Sequence, residues 1–222
     1  MISGLPFPKT LGGVQVLVNG IAAPIWRVDQ AAIVFLMPNN APTAGDAEIL
    51  VKDATTGEIL GAGTYPIGPA APAFFTSNFS GGGQIAATNE DGTPNTAANP
   101  AAAGSVLTIW MNGYGHLDNA PPDGTPAGTA FPTDVNPVIT VLAHRVPPER
   151  VLYSGLSPEF PGLWQINFRL PKTGDVNNPV PNTKVPIIVQ MRDIPSNVIG
   201  TDGNDRFCAH QRYGDHHPIA IK

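Results

Sequence analysis

The chain has 222 residues, of which 42% are hydrophobic and only 13% charged, and its net charge is −5. There is no basic stripe, which argues against nucleic acid as a partner, and no apolar run nears the roughly 18 residues that span a bilayer, which argues against membrane insertion. A single cysteine, Cys208, excludes an internal disulfide, and 24 glycines and 25 prolines between short apolar runs predict many strands joined by turns.

The first ten residues, MISGLPFPKT, lack the apolar stretch of a signal peptide, so export would use a leader carried by a longer precursor. VQVLVNGIAAPIWRV (14–28) reads as strand, turn, strand. In AAIVFLMP (31–38), Ile33, Phe35 and Met37 form one apolar face and Pro38 ends the strand. Val34 and Leu36 are apolar too, so this strand is expected to be covered on both sides. AEILVK (47–52) is a further strand, and GPAAPA at about 68–72 reads as a short stiff linker. Phe74, Phe75 and Phe79, in FFTSNFS, are expected to pack where two domains join.

TAANPAAAGS (96–105) contains Pro100 and Gly104 and makes at most one helical turn. ITVLAHRVPPERVLYS (139–154) is again strand, turn, strand. WQINFRLP (164–171) alternates cleanly, with Trp164, Ile166, Phe168 and Leu170 on one face and Gln165, Asn167 and Arg169 on the other. VPIIVQMR (185–192) follows. One unit is therefore written twice: strand, turn, strand, apolar strand ending in Pro, loop, strand. The second copy carries an insertion, SGLSPEFPG, before its Trp164 strand. The repeat, about 60 residues or more long, predicts tandem domains, 1–70 and 71–222, rather than a solenoid. The fold class is all-β, with sandwich domains.

Catalytic signatures are missing. G-x-S-x-G is absent, and Ser154 and Ser157 are expected in a Pro/Gly loop. Cys208 and His210 are neighbours in sequence, which does not make a dyad. His210, His216 and His217 with Asp215 form the richest set of metal-ligand types, but adjacent histidines on a strand point opposite ways. DGNDR (202–206) lacks the alternating oxygens of a calcium loop. His116 reads as a turn residue and His144 as exposed. Trp26, Trp110 and Trp164 lie in apolar runs and are expected in cores rather than on a sugar-binding shelf. No catalytic, cofactor-binding or metal residue is assigned, and no cofactor is expected.

Three stretches carry a family resemblance: LPFPKTLGGVQVLVNGIAAPIWRV, then GGGQIAATNEDGTPNTAANPAAAGSVLTIWMNGYG, then VLYSGLSPEFPGLWQINFRLP with SNVI. Over about residues 5–200 the chain resembles the uncharacterised Solibacter C-terminal domain family of secreted acidobacterial proteins. The resemblance implies two tandem immunoglobulin-like β-sandwich domains, similar to the IPT/TIG type, in an exported protein, with no catalytic residues to transfer. The chain departs from that pattern at AHRVPPER (143–150), where the family often has a Gly-Gly turn, and in its tail. There PIAIK is expected to be the last strand, after an insertion at 201–217. The expected function is a non-enzymatic structural and interaction module, extracellular or at the bacterial cell surface, with protein partners or self-association. The alternatives are a subunit of an extracellular fibre, joined through edge strands or the 201–222 tail, and a carbohydrate-binding module. The polar tail, with three of the five histidines, is expected to order against its own second domain or a neighbouring copy.

Overall fold

The computed structural model describes residues 1–79, 82–133, 135–141, 144–172, 184–196 and 217–220. The fold is all-β, in several antiparallel sheets, and among the described residues the helical element is a single 3-10 turn at Pro148–Arg150. The chain divides into two units. The first comprises Met1–Ala70, Gly115–Phe131 and Leu156–Leu163; the second comprises Ala71–Tyr114, Pro132–Gly155 and Trp164–Lys222.

The first unit contains β1 (Val14–Val18), β2 (Ile21–Ala22), β3 (Ile25–Val28), β4 (Ile33–Phe35), β5 (Gly45–Asp53) and β6 (Ile59–Ile67). Four of them form a sheet in the order β2-β1-β5-β6, and β3 pairs with β4 in a second. Asn19 and Gly20 link β1 to β2 with φ of 45° and 78°, the left-handed pair that a two-residue hairpin turn requires. The turn is tied to β5: Asn19 N–H donates to the Glu48 carbonyl, and Glu48 N–H donates to Asn19 Oδ1. Val16, Val18, Ala23, Ile25, Ala41 and Ala47 form the buried core, flanked by Ile33, Phe35, Ile49, Val51 and Ile67. Both sheets supply this cluster, so removing one shared apolar face from water holds them together.

The Pro-terminated strand of this unit is shallower than its pattern predicts. Ile33 and Phe35 are half-buried, and Met37 is 46% exposed. The reason is its position: β4 is three residues long and, among the described residues, pairs only with β3, whose register slips between Ile25 and Arg27. Its other face is half-buried as well: Leu36 lies against Gly162, which has a φ of 70° and whose Cβ would stand 2.5 Å from the leucine.

The remaining strands are β7 (Ala73–Phe74), β8 (Ala87–Thr88), β9 (Val106–Asn112), β10 (Phe131–Pro132), β11 (Val138–Val141), β12 (His144–Arg145), β13 (Val151–Leu156), β14 (Trp164–Arg169), β15 (Lys184–Met191), β16 (Ile194–Pro195) and β17 (His217–Ala220). One sheet runs β10-β13-β14-β9-β7, with β8 also on β9; the other runs β12-β11-β15-β16, with β17 also on β15. In the first of these, Trp164, Ile166 and Phe168 stand opposite Met111, Ile109 and Leu107, and all six are fully buried. The period-2 reading of WQINFRLP thus holds residue by residue. In the second sheet Ile139 and Val141 face Val189 and Ile187, again buried.

The pairing order β2-β1-β5 with β3-β4 recurs as β12-β11-β15 with β13-β14. The hairpins match too: Val18 pairs with Ile21 and Ile49, and Val141 pairs with His144 and Ile187. The outer strand differs. β6 follows β5 as one hairpin, whereas β15 holds β16 at Met191↔Ile194 and β17 at Ile187↔His217. Extending the β15–β16 register would bring position 198 opposite Ile187; His217 stands there, 19 positions later. The expected strand in PIAIK is present as β17, which begins one residue earlier than expected, at His217; the rest of the expected 201–217 insertion lies outside the described residues.

Candidate functional site

Among the described residues, the densest polar structure is the loop between β8 and β9. Asn89 Nδ2 donates to Thr93 Oγ1 at 3.3 Å and to the Asn99 carbonyl at 3.0 Å. Asn95, 2% exposed, donates to Asn89 Oδ1 at 2.9 Å and receives Gln84 Nε2 at 3.2 Å. Asn99 Nδ2 donates to Thr93 Oγ1 and to the Pro94 carbonyl. Glu90 accepts from the Val106 N–H at 3.2 Å, fastening the loop to the start of β9. Asp91 accepts from both the hydroxyl and the N–H of Thr93, and these bonds hold its carboxyl below the ordinary value. A turn-forming composition folds this way because short polar side chains satisfy backbone groups that no ladder reaches. Asn89, Asn95 and Asn99 thus bind groups of this segment and hold its irregular backbone.

A second polar clasp lies within the first unit. Asn39 Nδ2 donates to the Leu117 carbonyl at 2.8 Å, and Leu117 N–H donates to Asn39 Oδ1 at 2.9 Å. The side chain thus imitates a strand partner for the Gly115–Phe131 segment. Asn39 N–H donates to Asp123 Oδ1, His116 Nδ1 lies 2.7 Å from the Asn39 carbonyl, and His116 Nε2 lies 3.4 Å from Asp118. Nearby, Phe7 packs edgewise on Phe160 at 5.3 Å, and so does Trp26 at 5.7 Å.

Asp29 and Asp53 repeat the turn chemistry. Asp29 accepts from Ala31 and Ala32, and Asp53 from Thr55 and Thr56. In each, backbone N–H groups hold the carboxyl below its ordinary value by stabilising the charged form.

Ser157 and Trp164 fall as their sequence reading has them; Ser154, Trp26, Trp110, Phe75 and Phe79 do not. Ser154 lies in β13, not in a loop, and its hydroxyl accepts the Trp164 indole N–H at 3.1 Å; this is the partner that a buried indole requires. Ser157 follows that strand and is buried. Trp164 is in the core, with Tyr114 stacked at 4.7 Å. Trp26 and Trp110 are half-buried: Trp110 shares the face of Val106 and Thr108, opposite the core residues Leu107, Ile109 and Met111. Phe74 is buried, opposite Met111 on β9, but Phe75 is 41% exposed and Phe79 94% exposed at a φ of 58°. The turn at Thr76–Phe79, closed by the Phe79 N–H on the Thr76 carbonyl, aims Phe79 outward. His144 is exposed, as expected. Cys208, His210, Asp215, His216 and the DGNDR run lie outside the described residues, and His217 begins β17.

Among the described residues no group of three or more His, Cys, Asp or Glu side chains converges, and no helix is long and apolar enough to cross a membrane. No family model, curated protein or solved structure matches the chain.

Proposed function

We propose that the chain is a non-enzymatic structural and interaction module of a secreted or cell-surface bacterial protein, built from two tandem immunoglobulin-like β-sandwiches of the Solibacter C-terminal type. The observation that carries this reading is the use made of polar side chains. In the loop between β8 and β9 and at Asn39 they bind backbone and one another, holding irregular segments in place. The recurring pairing order of β1–β5 and β11–β15 supports the tandem arrangement. Self-association is the favoured mode of interaction, because the outer strand β6 is long and uncharged.

Location is tested by labelling intact producing cells with a membrane-impermeant amine reagent, for which exposed Lys9 is a target. The chain should be labelled while cytosolic proteins are not. Labelling only after lysis would overturn the proposal.

A further inference from the structure

β6 is an outer strand of nine residues, ILGAGTYPI, with no charged side chain. Proteins ordinarily shorten, charge or cover such edges, since an unpaired strand is a template for another. In the other unit the outer position is shared by two short strands, β16 and β17.

The direction of the free groups follows from the ladder. Both backbone groups of Glu48 bond Asn19, on the β1 side of β5. Alternation then turns Ala47, Ile49 and Val51 toward β6, where they face Tyr65, Gly63 and Gly61. Ala62, Thr64 and Pro66 consequently point their backbone groups outward. Beyond its ladder with β5, β6 makes no hydrogen bond to any described residue. Ile59, Leu60 and Tyr65 are 57%, 54% and 59% exposed. Tyr65 leans over Gly63, whose Cβ position is 2.9 Å from the ring.

We propose that β6 is a self-pairing edge, which joins two copies of the chain antiparallel about a two-fold axis at Gly63. This deepens the self-association part of the proposed function and rests on it. In that register Ala62 of each copy stands opposite Thr64 of the other, and the outward N–H and C=O groups of both are exchanged. Pro66 lies beyond this central pair, opposite Leu60 of the partner copy, and donates nothing there, so the exchange rests on Ala62 and Thr64. Tyr65 falls opposite Gly61 of the partner copy, so each ring covers a glycine gap, an aromatic–glycine pairing that sheets use elsewhere. The occupant is a second copy because the strand is self-complementary under this axis and, being uncharged, brings no like charges into register. One strand pair contributes less than the roughly 800 Å² per partner of a standard interface, so the dimer forms and dissociates with concentration.

The test is sedimentation velocity on the full chain across a range of concentrations, with Thr64→Pro as the variant. Proline at 64 removes an outward N–H and leaves the β5 ladder intact. The average mass of the wild type should climb from 23.2 kDa toward twice that value, while Thr64→Pro stays monomeric with an unchanged melting temperature. In a Cys208→Ser background, Gly63→Cys should form a disulfide-linked dimer on mild oxidation, since the two residues 63 face each other on the axis. A wild type that is monomeric throughout, or a dimer that Thr64→Pro leaves untouched, would overturn β6 pairing. Neither result bears on surface labelling of the producing cells, so the failure of β6 pairing and the failure of the proposed function remain distinguishable.

Discussion

At the scale of single residues, the two largest fully buried side chains, Trp164 and Phe168, lie on the β9–β14 face. Phe168 is fully buried opposite Leu107, and truncating a buried phenylalanine costs the transfer energy plus the cavity left behind. Phe168→Ala should therefore lose about 3–5 kcal/mol in urea unfolding; a loss under about 1 kcal/mol would contradict its place in the core. The carboxylates act through pH instead. Asp53 is held below its ordinary value by the N–H groups of Thr56 and Thr55. Its contribution is thus present above the ordinary carboxylate value of 3.8 and is lost as the pH falls through the lower folded value. The melting-temperature gap between wild type and Asp53→Ala should be open at pH 7 and narrow below about pH 3.8. A gap of constant width would refute the assignment. Such residues are legible in the sequence to different degrees. The alternation of Trp164, Ile166 and Phe168 is a local pattern, so their burial follows directly. Phe79 misleads, because composition promises packing while a left-handed turn residue turns the ring outward.

At the scale of elements, apolar alternation and proline stops locate the strands of the repeat, and PIAIK locates the last strand. What holds the irregular segments is not legible in the same way. Asn39 and Leu117 are 78 positions apart, and nothing in PNNAP signals that an amide will serve as a strand partner. The same holds for the 84–99 network: its turn residues are legible, its wiring is not, since each bond depends on where the loop closes. Asn39→Ala leaves the buried Leu117 N–H and C=O without partners, at about 1–3 kcal/mol. The loss should be local as well as global. Limited proteolysis should cut within Gly115–Phe131 sooner in the variant than in the wild type, and equal cutting rates would show that the clasp holds nothing. The uncharged edge of β6 is present in the sequence as ILGAGTYPI, but its exposure depends on being the outermost strand, a property of sheet order.

At the scale of the whole molecule, the first unit takes residues from three stretches of the chain, Met1–Ala70, Gly115–Phe131 and Leu156–Leu163. Phe7, 5% exposed, is covered in part by Phe160, and its N–H donates to the Gly124 carbonyl. A fragment of residues 1–70 alone lacks both. Its amide exchange should be much faster, and its denaturation midpoint lower, than for the same residues in the intact chain; equal protection would mean that the later stretches contribute nothing.

The shared membership of the first unit has a mechanical consequence. The chain crosses between units at 70/71, 114/115, 131/132, 155/156 and 163/164. Tension applied at the two ends cannot reel out residues 1–70 as an isolated length, because Gly115–Phe131 and Leu156–Leu163 are anchored among them and lead back into the other unit. Stretching a single molecule should give extension steps that do not divide at residue 70, and rupture of the first unit should release slack from stretches beyond it. Two beads on a string would give a sawtooth with one tooth per bead; a chain that re-enters its first unit twice would not.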